Sequence, residues 1–371
     1  MNLSYWEIQS WLTNIDYTIV GSGIVGINCA LQLRKRFPKS KILVLEKGML
    51  PQGASTKNAG FACFGSISEI IDDLNHHTKE EVLELIKNRV KGLQLLRETL
   101  GDKAIDYQNL GGYELFLDAD DALFELCADK QDAINKLLYP IFNSEVFSTK
   151  LNTFNFKNIK PNYSFNQFEG QIDTGKMMEA LLKKAQQNDI KILNNCKVET
   201  YQDDTNAVKI CTNNFEFSSK NMLIATNGFA TKLTEQSVKP ARAQVLITKP
   251  IKDLPIKGTF HLDEGYYYFR NINNRILFGG GRNLDFKTEE TTTFGETEII
   301  QNKLEELLRT TILPNTAFKV DHRWSGIMGV GSQKKAIVKQ LSNHVYCGVR
   351  LGGMGVAIGS TVGKELASLV K

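Results

Sequence analysis

The sequence predicts a mixed fold, part α/β and part α+β. A Rossmann-like unit carries a second, interleaved domain built on a large antiparallel sheet. Three observations lead there. A glycine-rich turn joins a strand to a helix in DYTIVGSGIVGINCALQLRKRF. A short apolar strand, MLIATNG, returns late in the chain. Four β-prone runs crowd residues 243–280: QVLITKP, GTFHL, EGYYYFRN and RILFGGG. At 371 residues the chain is also too long for one comfortable core, so two domains are expected.

The N-terminal stretch MNLSYWEIQSWLTNIDY lacks a basic region followed by an apolar run, so it does not read as a signal peptide. Trp6 and Trp11 are expected to cap the fold from outside. Residues 17–20 form a short strand. Gly21, Gly23 and Gly26 then spell GxGxxG. The apolar positions Ile24, Val25, Ala30, Leu31 and Leu33 continue as an amphipathic helix to about Phe37, where Pro38 ends it. A second strand covers 41–46. In such a unit the first glycine makes the tight turn, the second lets the backbone approach a pyrophosphate, and the third lets helix and strand pack closely. Glu46 stands 20 residues after Gly26, at the end of the second strand. A carboxylate there accepts from both ribose hydroxyls and repels a 2'-phosphate. The unit therefore predicts dinucleotide binding. Further βαβ units do not come at once, which favours a flavin over a nicotinamide.

Residues 54–66 instead read ASTKNAGFACFGS, which is small, polar and glycine-rich. A helical region at 78–100 comes next, then a strand at 111–117 ending in the capping acids DADD, and a helix to about Leu138. Residues 143–170, rich in Asn and Phe, read as a loop-rich excursion. Asp173 or Thr174 caps a helix over 175–187. Residues 190–193 form a short strand, and 197–201, 207–211 and 215–217 a meander. A separate buried strand at 222–225 ends in Thr226, Asn227 and Gly228, at the level of a cofactor. In 266–270 alternation puts Tyr267 and Phe269 on one face, and Tyr266, Tyr268 and Arg270 on the other. A helix at 295–311 precedes HRWSGIMGVG, KKAIVK and NHVYCGV, and a last helix closes the chain. The expected division is 14–75, 145–240 and 320–371 for the dinucleotide domain, and 76–144 and 241–319 for the substrate domain.

Composition excludes other classes. The formal net charge is only +4, with lysines spread among acids, so no nucleic-acid partner is expected. The six cysteines form no CxxC, and His76, His77, His261, His322 and His344 spell no metal cluster. No 18 apolar residues run together, so no membrane span is expected. The expected location is the cytoplasm, and the thiols are expected to be buried and reduced.

From about Asp16 to Val370 the chain resembles the FAD-dependent oxidoreductases of the D-amino-acid oxidase, glycine oxidase and sarcosine oxidase superfamily. The blocks that carry the likeness are VGSGIVG with Glu46, ASTKNAG, GQIDTGKMMEAL, LIATNG, and the pair RWSGIMG and RLGGMGVAIGSTVG. The resemblance implies that the Rossmann-like unit is an FAD-binding domain. It implies that Gly21 to Gly26 hold the ADP part, and that Glu46, with Lys47 after it, holds the ribose. Ser55, Thr56, Asn58, Ala59 and Gly60 would run beside the pyrophosphate and the isoalloxazine. Val198 would meet adenine. Gly352, Gly353, Met354 and Gly355 would lie near the flavin C2 carbonyl, where a helix N-terminus stabilises the charge of reduced flavin.

Two departures stand out. Many amino-acid-oxidising members carry an arginine in this Trp block to grip the substrate carboxylate. Here Met328 stands there, and it cannot make a bidentate pair. Arg350, Arg323 and Arg270 are the substitutes expected for flavin or substrate contact, ahead of Arg242 and Arg282. Tyr268 could orient a substrate or simply pack. The cysteine and histidine anchors that other members use are also missing, so FAD is expected to be non-covalent. The implied chemistry is oxidation of a C–N bond in an amine or amino acid, with hydride moving to flavin N5 and electrons passing to oxygen or an acceptor such as a quinone. The readings that compete are 2-hydroxy-acid or polyol-phosphate oxidation, a role on modified tRNA, and a non-catalytic flavin-binding protein.

Overall fold

A computed structural model describes residues 2–371. The first of its two large sheets runs, strand by strand, Ile337–Gln340, Val345–Val349, Glu216–Ile224, Ile15–Val20, Ile42–Leu45 and Lys191–Leu193. The last five of these are mutually parallel. Thr18 pairs with Met222 on one side and Leu43 on the other, so the first strand is central. Its residues are apolar almost throughout because both faces are covered. Ile19, Val44 and Leu223 pack under helices Ile24–Arg36, Thr174–Gln187 and Gly355–Ser368. Val20, Leu43 and Met222 pack on the other face against the antiparallel meander. At Gly26 a Cβ would lie 1.9 Å from the Gly21 carbonyl oxygen, so helix and strand close only on glycine.

The second sheet runs Val320–Val330, Lys239–Thr248, Arg275–Gly280, Tyr267–Ile272, Thr259–Leu262, Gly112–Glu114, Asn162–Asn166 and Phe147–Leu151. One face is an aromatic core, in which Phe260 and Phe269 stack at 4.5 Å beneath helix Glu298–Leu307. Alternation holds over 267–270: Tyr267 and Phe269 enter this core, whereas Tyr268 and Arg270 turn toward the first domain; Tyr266, just before the strand, packs partly against the core while also lining the cavity.

Several elements differ from expectation. Residues 143–170 are not a loop excursion. Phe147–Leu151 and Asn162–Asn166 pair with each other, and the second of them also pairs with Gly112–Glu114. These strands, and Val320–Val330, belong by hydrogen bonding to the second sheet rather than to the dinucleotide unit. The run NYSFN is short and poor in β-branched residues, so its order comes from the ladder rather than from propensity. The third meander strand does not stop before Met222 but continues as one strand to Ile224. A further helix, Ile67–His76, starts at Ser66 in a reciprocal cap with Glu69. Asp120 caps nothing downstream; its carboxylate accepts from the Leu117 N–H at 2.8 Å. Helix Asp121–Phe142 runs through Pro140, past the expected end. At the N-terminus Trp6 is exposed and Trp11 half-buried under Lys191. Among the described residues no helix is long and apolar enough to cross a membrane.

Candidate active site

Between the two sheets lies an elongated cavity of about 650 Å³. Its first end is built by the turn 21–25 and the two strand ends beside it. The Ser22 hydroxyl donates to Glu46 at 2.7 Å, and the Ser22 and Gly48 N–H groups donate to the same carboxylate at 3.2 and 3.0 Å. Glu46 is thus fixed where its strand ends. The Ile24 N–H, at the start of its helix, donates to Ser55 Oγ at 2.9 Å. Lys47, Val198, Thr226 and Asn227 line this end as well, Lys47 with its ammonium 3.2 Å over the Phe229 ring. The Thr226 hydroxyl is buried and has no partner among the described residues.

The middle is a cradle of bare backbone. Asn58 Oδ1 accepts from the Gly60 N–H at 2.9 Å and from Thr174 Oγ1 at 3.0 Å, while its amide donates to the Ala54 and Ser55 carbonyls. Gly60 has φ +76°, and a Cβ there would lie 2.4 Å from the Ile172 carbonyl oxygen. Ala59 lines the same wall. Opposite, Gly352, Gly353, Met354 and Gly355 lead into helix Gly355–Ser368. The Leu351 N–H donates to Asn227 Oδ1 at 3.1 Å, and the Gly352 N–H to the Gly329 carbonyl at 2.9 Å. Trp324 Nε1 donates to the Lys57 carbonyl at 3.0 Å and so ties the second sheet to the cradle.

The far end is walled by Phe61, Tyr266, Tyr268, Val245 and Met328. Polar groups there are Arg282, His261, Glu69, Glu264, Lys57 and Lys334. Among the expected contact residues, Tyr268 and Met328 do face this space. Gly26, Thr56 and Gly228 do not line the cavity; Gly26 packs the helix, Thr56 donates to the Pro51 carbonyl, and Gly228 lies against the Met328 backbone. The three favoured arginines are placed elsewhere. Arg323 points outward and pairs with Glu305. Arg350, at φ +65°, donates twice to the Lys335 carbonyl, at 3.1 and 2.9 Å. Arg270 is buried behind the cradle, where a Gly60 Cβ would lie 2.9 Å from its guanidinium. Burial pulls its pKa down to about 10 against the pull of Asp173 and Asp106, and its Nε has no partner among the described residues. Arg242 is closed in a bidentate pair with Glu289, at 2.8 and 2.7 Å.

The arginine that does line the cavity is Arg282, which ranked low on sequence. It comes directly after strand Arg275–Gly280 and the GGG run, its guanidinium lies 4.7 Å over the Phe286 ring, and it makes no side-chain hydrogen bond among the described residues. Partial burial lowers its pKa.

His261 is the residue that sequence reasoning passed over. It is the cross-strand partner of Tyr268 and meets the Phe61 ring edge-on at 5.2 Å. Its Nε2 lies 2.7 Å from the buried Glu169 carboxylate, which also accepts from Thr259 at 2.7 Å. Burial alone would lower the imidazole pKa, but Glu169, with Glu69 and Glu114 behind it, outweighs that and lifts it to about 9. Hairpin register was the signal for it. Asp263-Glu264-Gly265 is a turn sequence, and folding the chain back from Tyr268 puts His261 opposite. Cys63 also lines this wall. Burial first, and Glu169 and Glu69 next, raise its thiol pKa well above the ordinary value.

A family model described as DAO, FAD dependent oxidoreductase, matches residues 16–369. No curated protein sequence matches the chain. Among solved structures it is similar to glycine oxidase from Geobacillus kaustophilus, at 18% identity over 96% of this chain and 94% of that one, with TM-score 0.76. It is similar to iminodiacetate oxidase from Chelativorans sp. BNC1, at 16% over 95% of each chain and TM-score 0.76. It is also similar to L-proline dehydrogenase from P. horikoshii, at 18% over 96% and 93%, with TM-score 0.73. At these identities the shared property is the fold.

Proposed function

The chain belongs to the DAO family of FAD-dependent oxidoreductases, and from that premise we propose that it oxidises the C–N bond of an amino acid to an imine. The residues present fit the cofactor. The helix start offers the Val25 N–H to a pyrophosphate, with the Ile24 N–H held by Ser55; Glu46 is fixed for a ribose, and the Asn58–Gly60 cradle leaves room for a flat ring. The Gly352–Gly355 turn faces that ring position from the start of a second helix. Bound there, FAD supplies the hydride acceptor. The binding is non-covalent: burial holds Cys63 as the thiol, and His261 is engaged by Glu169.

The observation that carries the substrate class is the unpaired Arg282 guanidinium inside an aromatic-walled cavity. Its planar fork suits a carboxylate, and Tyr266 lies beside it to add a hydroxyl. Glu264, in the same wall, faces the amine end and would take the proton that the ammonium must lose before the carbon gives up hydride, whereas Glu69 is held by the Ser66 N–H in its helix cap. Phe61, Tyr268, Val245 and Met328 keep water from the reacting carbon. Arg282 on the hairpin side thus takes the part that the Met328 position lacks.

An anaerobic bleaching screen tests this. The flavin is expected to lose its colour with one group of D-, L- or N-methyl amino acids, and not with the matching decarboxylated amines. Arg282→Ala should raise KM for the amino acid on the order of 10- to 100-fold, the loss of a charged hydrogen-bonded pair. Equal bleaching by amines lacking a carboxylate, or an unchanged KM, would overturn the assignment.

A further inference from the structure

Residues 61–64 separate the cavity between the sheets from a second one. Phe61 and Cys63 line the first, whereas Ala62 and Phe64 line the second, as the alternation of an extended segment requires. The second cavity has a volume of about 680 Å³. One wall is an aromatic run: Phe64 to Phe142 at 4.8 Å and Phe142 to Phe168 at 4.7 Å. The facing wall is Val90 and Leu93 of helix Lys79–Leu100, with Tyr107. The Arg97 guanidinium covers the Tyr107 ring at 3.9 Å and is closed in a bidentate pair with Asp102, both contacts 2.8 Å. Gln94 is likewise tied to Glu98 at 2.8 Å. Among the described residues Glu98 has no ion-pair partner, which disfavours an anionic ligand, while the Asn109 amide at the rim makes no side-chain hydrogen bond. These walls suit a neutral, flat, largely apolar molecule that carries a carbonyl oxygen for an amide donor.

We propose that this second cavity seats a quinone that takes electrons from the reduced cofactor. The proposal rests on FAD occupying the first cavity. Side chains on the two faces of one extended segment span roughly 10 Å, so the two redox groups would be separated by a single layer of protein. The exchange is balanced. Two electrons and two protons leave reduced FAD, which returns to its oxidised form. The quinone's two carbonyl oxygens each gain a proton and become the hydroxyls of the hydroquinone. Dioxygen needs no such walled slot, which is why the cavity points to the larger acceptor.

The test uses the holoenzyme with menadione, a naphthoquinone, as the probe. Photoreduction without oxygen reduces the flavin independently of any substrate, and mixing with menadione is followed by the return of flavin absorbance. Leu93→Trp fills the slot from the helix side. It should slow menadione reoxidation by roughly tenfold or more, weaken menadione binding to the oxidised holoenzyme in equilibrium dialysis, and leave FAD content unchanged. Asn109→Ala leaves the slot open and should slow the reaction several-fold; this variant serves if Leu93→Trp fails to fold. Absence of saturable menadione binding, or reoxidation in both variants as fast as in the parent, overturns the proposal. In that case bleaching by an amino acid would leave the substrate assignment standing, whereas a protein that takes up no FAD would overturn both.

Discussion

Whether an arginine meets a ligand or a neighbour is decided by partners far away in sequence. Arg323 finds Glu305, and Arg350 finds the Lys335 carbonyl. No local pattern announces either partner, so these two of the three favoured arginines looked no different in sequence from Arg282. The glycine and acid positions were legible because their requirement is local: Gly26 must admit a carbonyl, and Glu46 must end its strand. His261 gives a residue-scale test. Its imidazole faces Glu169 from the segment after Asn162–Asn166, Glu69 from helix Ile67–His76 and Glu114 from the neighbouring strand. Its folded pKa of about 9 lies above the ordinary 6.5. The pair therefore contributes stability that is complete below pH 6.5 and is lost as pH rises through about 9. Glu169→Gln removes the largest raising influence and leaves burial in control. The His261 proton resonance should then titrate below its ordinary range in NMR, and the alkaline loss of stability should vanish from melts taken across that window. A variant whose His261 still titrates near pH 9 would show that Glu169 does not hold the proton.

At the scale of elements, long periodic segments were readable and short paired ones were not. Helices Ile24–Arg36 and Thr174–Gln187 follow from their apolar spacing, the second also from its Asp173 cap. Phe147–Leu151 and Asn162–Asn166 exist because each finds a ladder, and the second lies between the first and Gly112–Glu114. The cradle at 54–60 is different again. Its composition marked a close backbone approach, but its shape is set by Asn58, which accepts from Gly60 and Thr174 and donates to Ala54 and Ser55. Asn58→Ala deletes these bonds without touching either sheet. At about 1 kcal/mol for each of the one or two bonds that matter to ring position, FAD affinity should fall by roughly 5- to 30-fold, with apoprotein stability changed far less. Titration of apoprotein with FAD, followed by quenching of flavin fluorescence, measures it. Unchanged affinity would mean that Gly60 holds its conformation without Asn58.

At the largest scale two eight-stranded sheets meet across the FAD-sized cavity, with Trp324 of the second sheet bonded to Lys57 of the first domain's cradle. FAD laid along that cavity touches groups from both, so its binding energy should appear in both. At 100 times the dissociation constant a ligand that binds only the folded state adds about 2.7 kcal/mol. The three tryptophans allow each half to be watched separately. In Trp324→Phe the signal comes from Trp6 and Trp11, and Trp11 packs on the first sheet. In Trp6→Phe/Trp11→Phe it comes from Trp324 in the second. Both melting curves should move upward together on adding FAD, and by the same amount, because unfolding either half opens the cavity. A rise confined to the Trp11 signal would mean that the cofactor is held by the dinucleotide unit alone. The second sheet would then be a cover that opens on its own, and Arg282 and His261 would complete the substrate end of the cavity only when it closes.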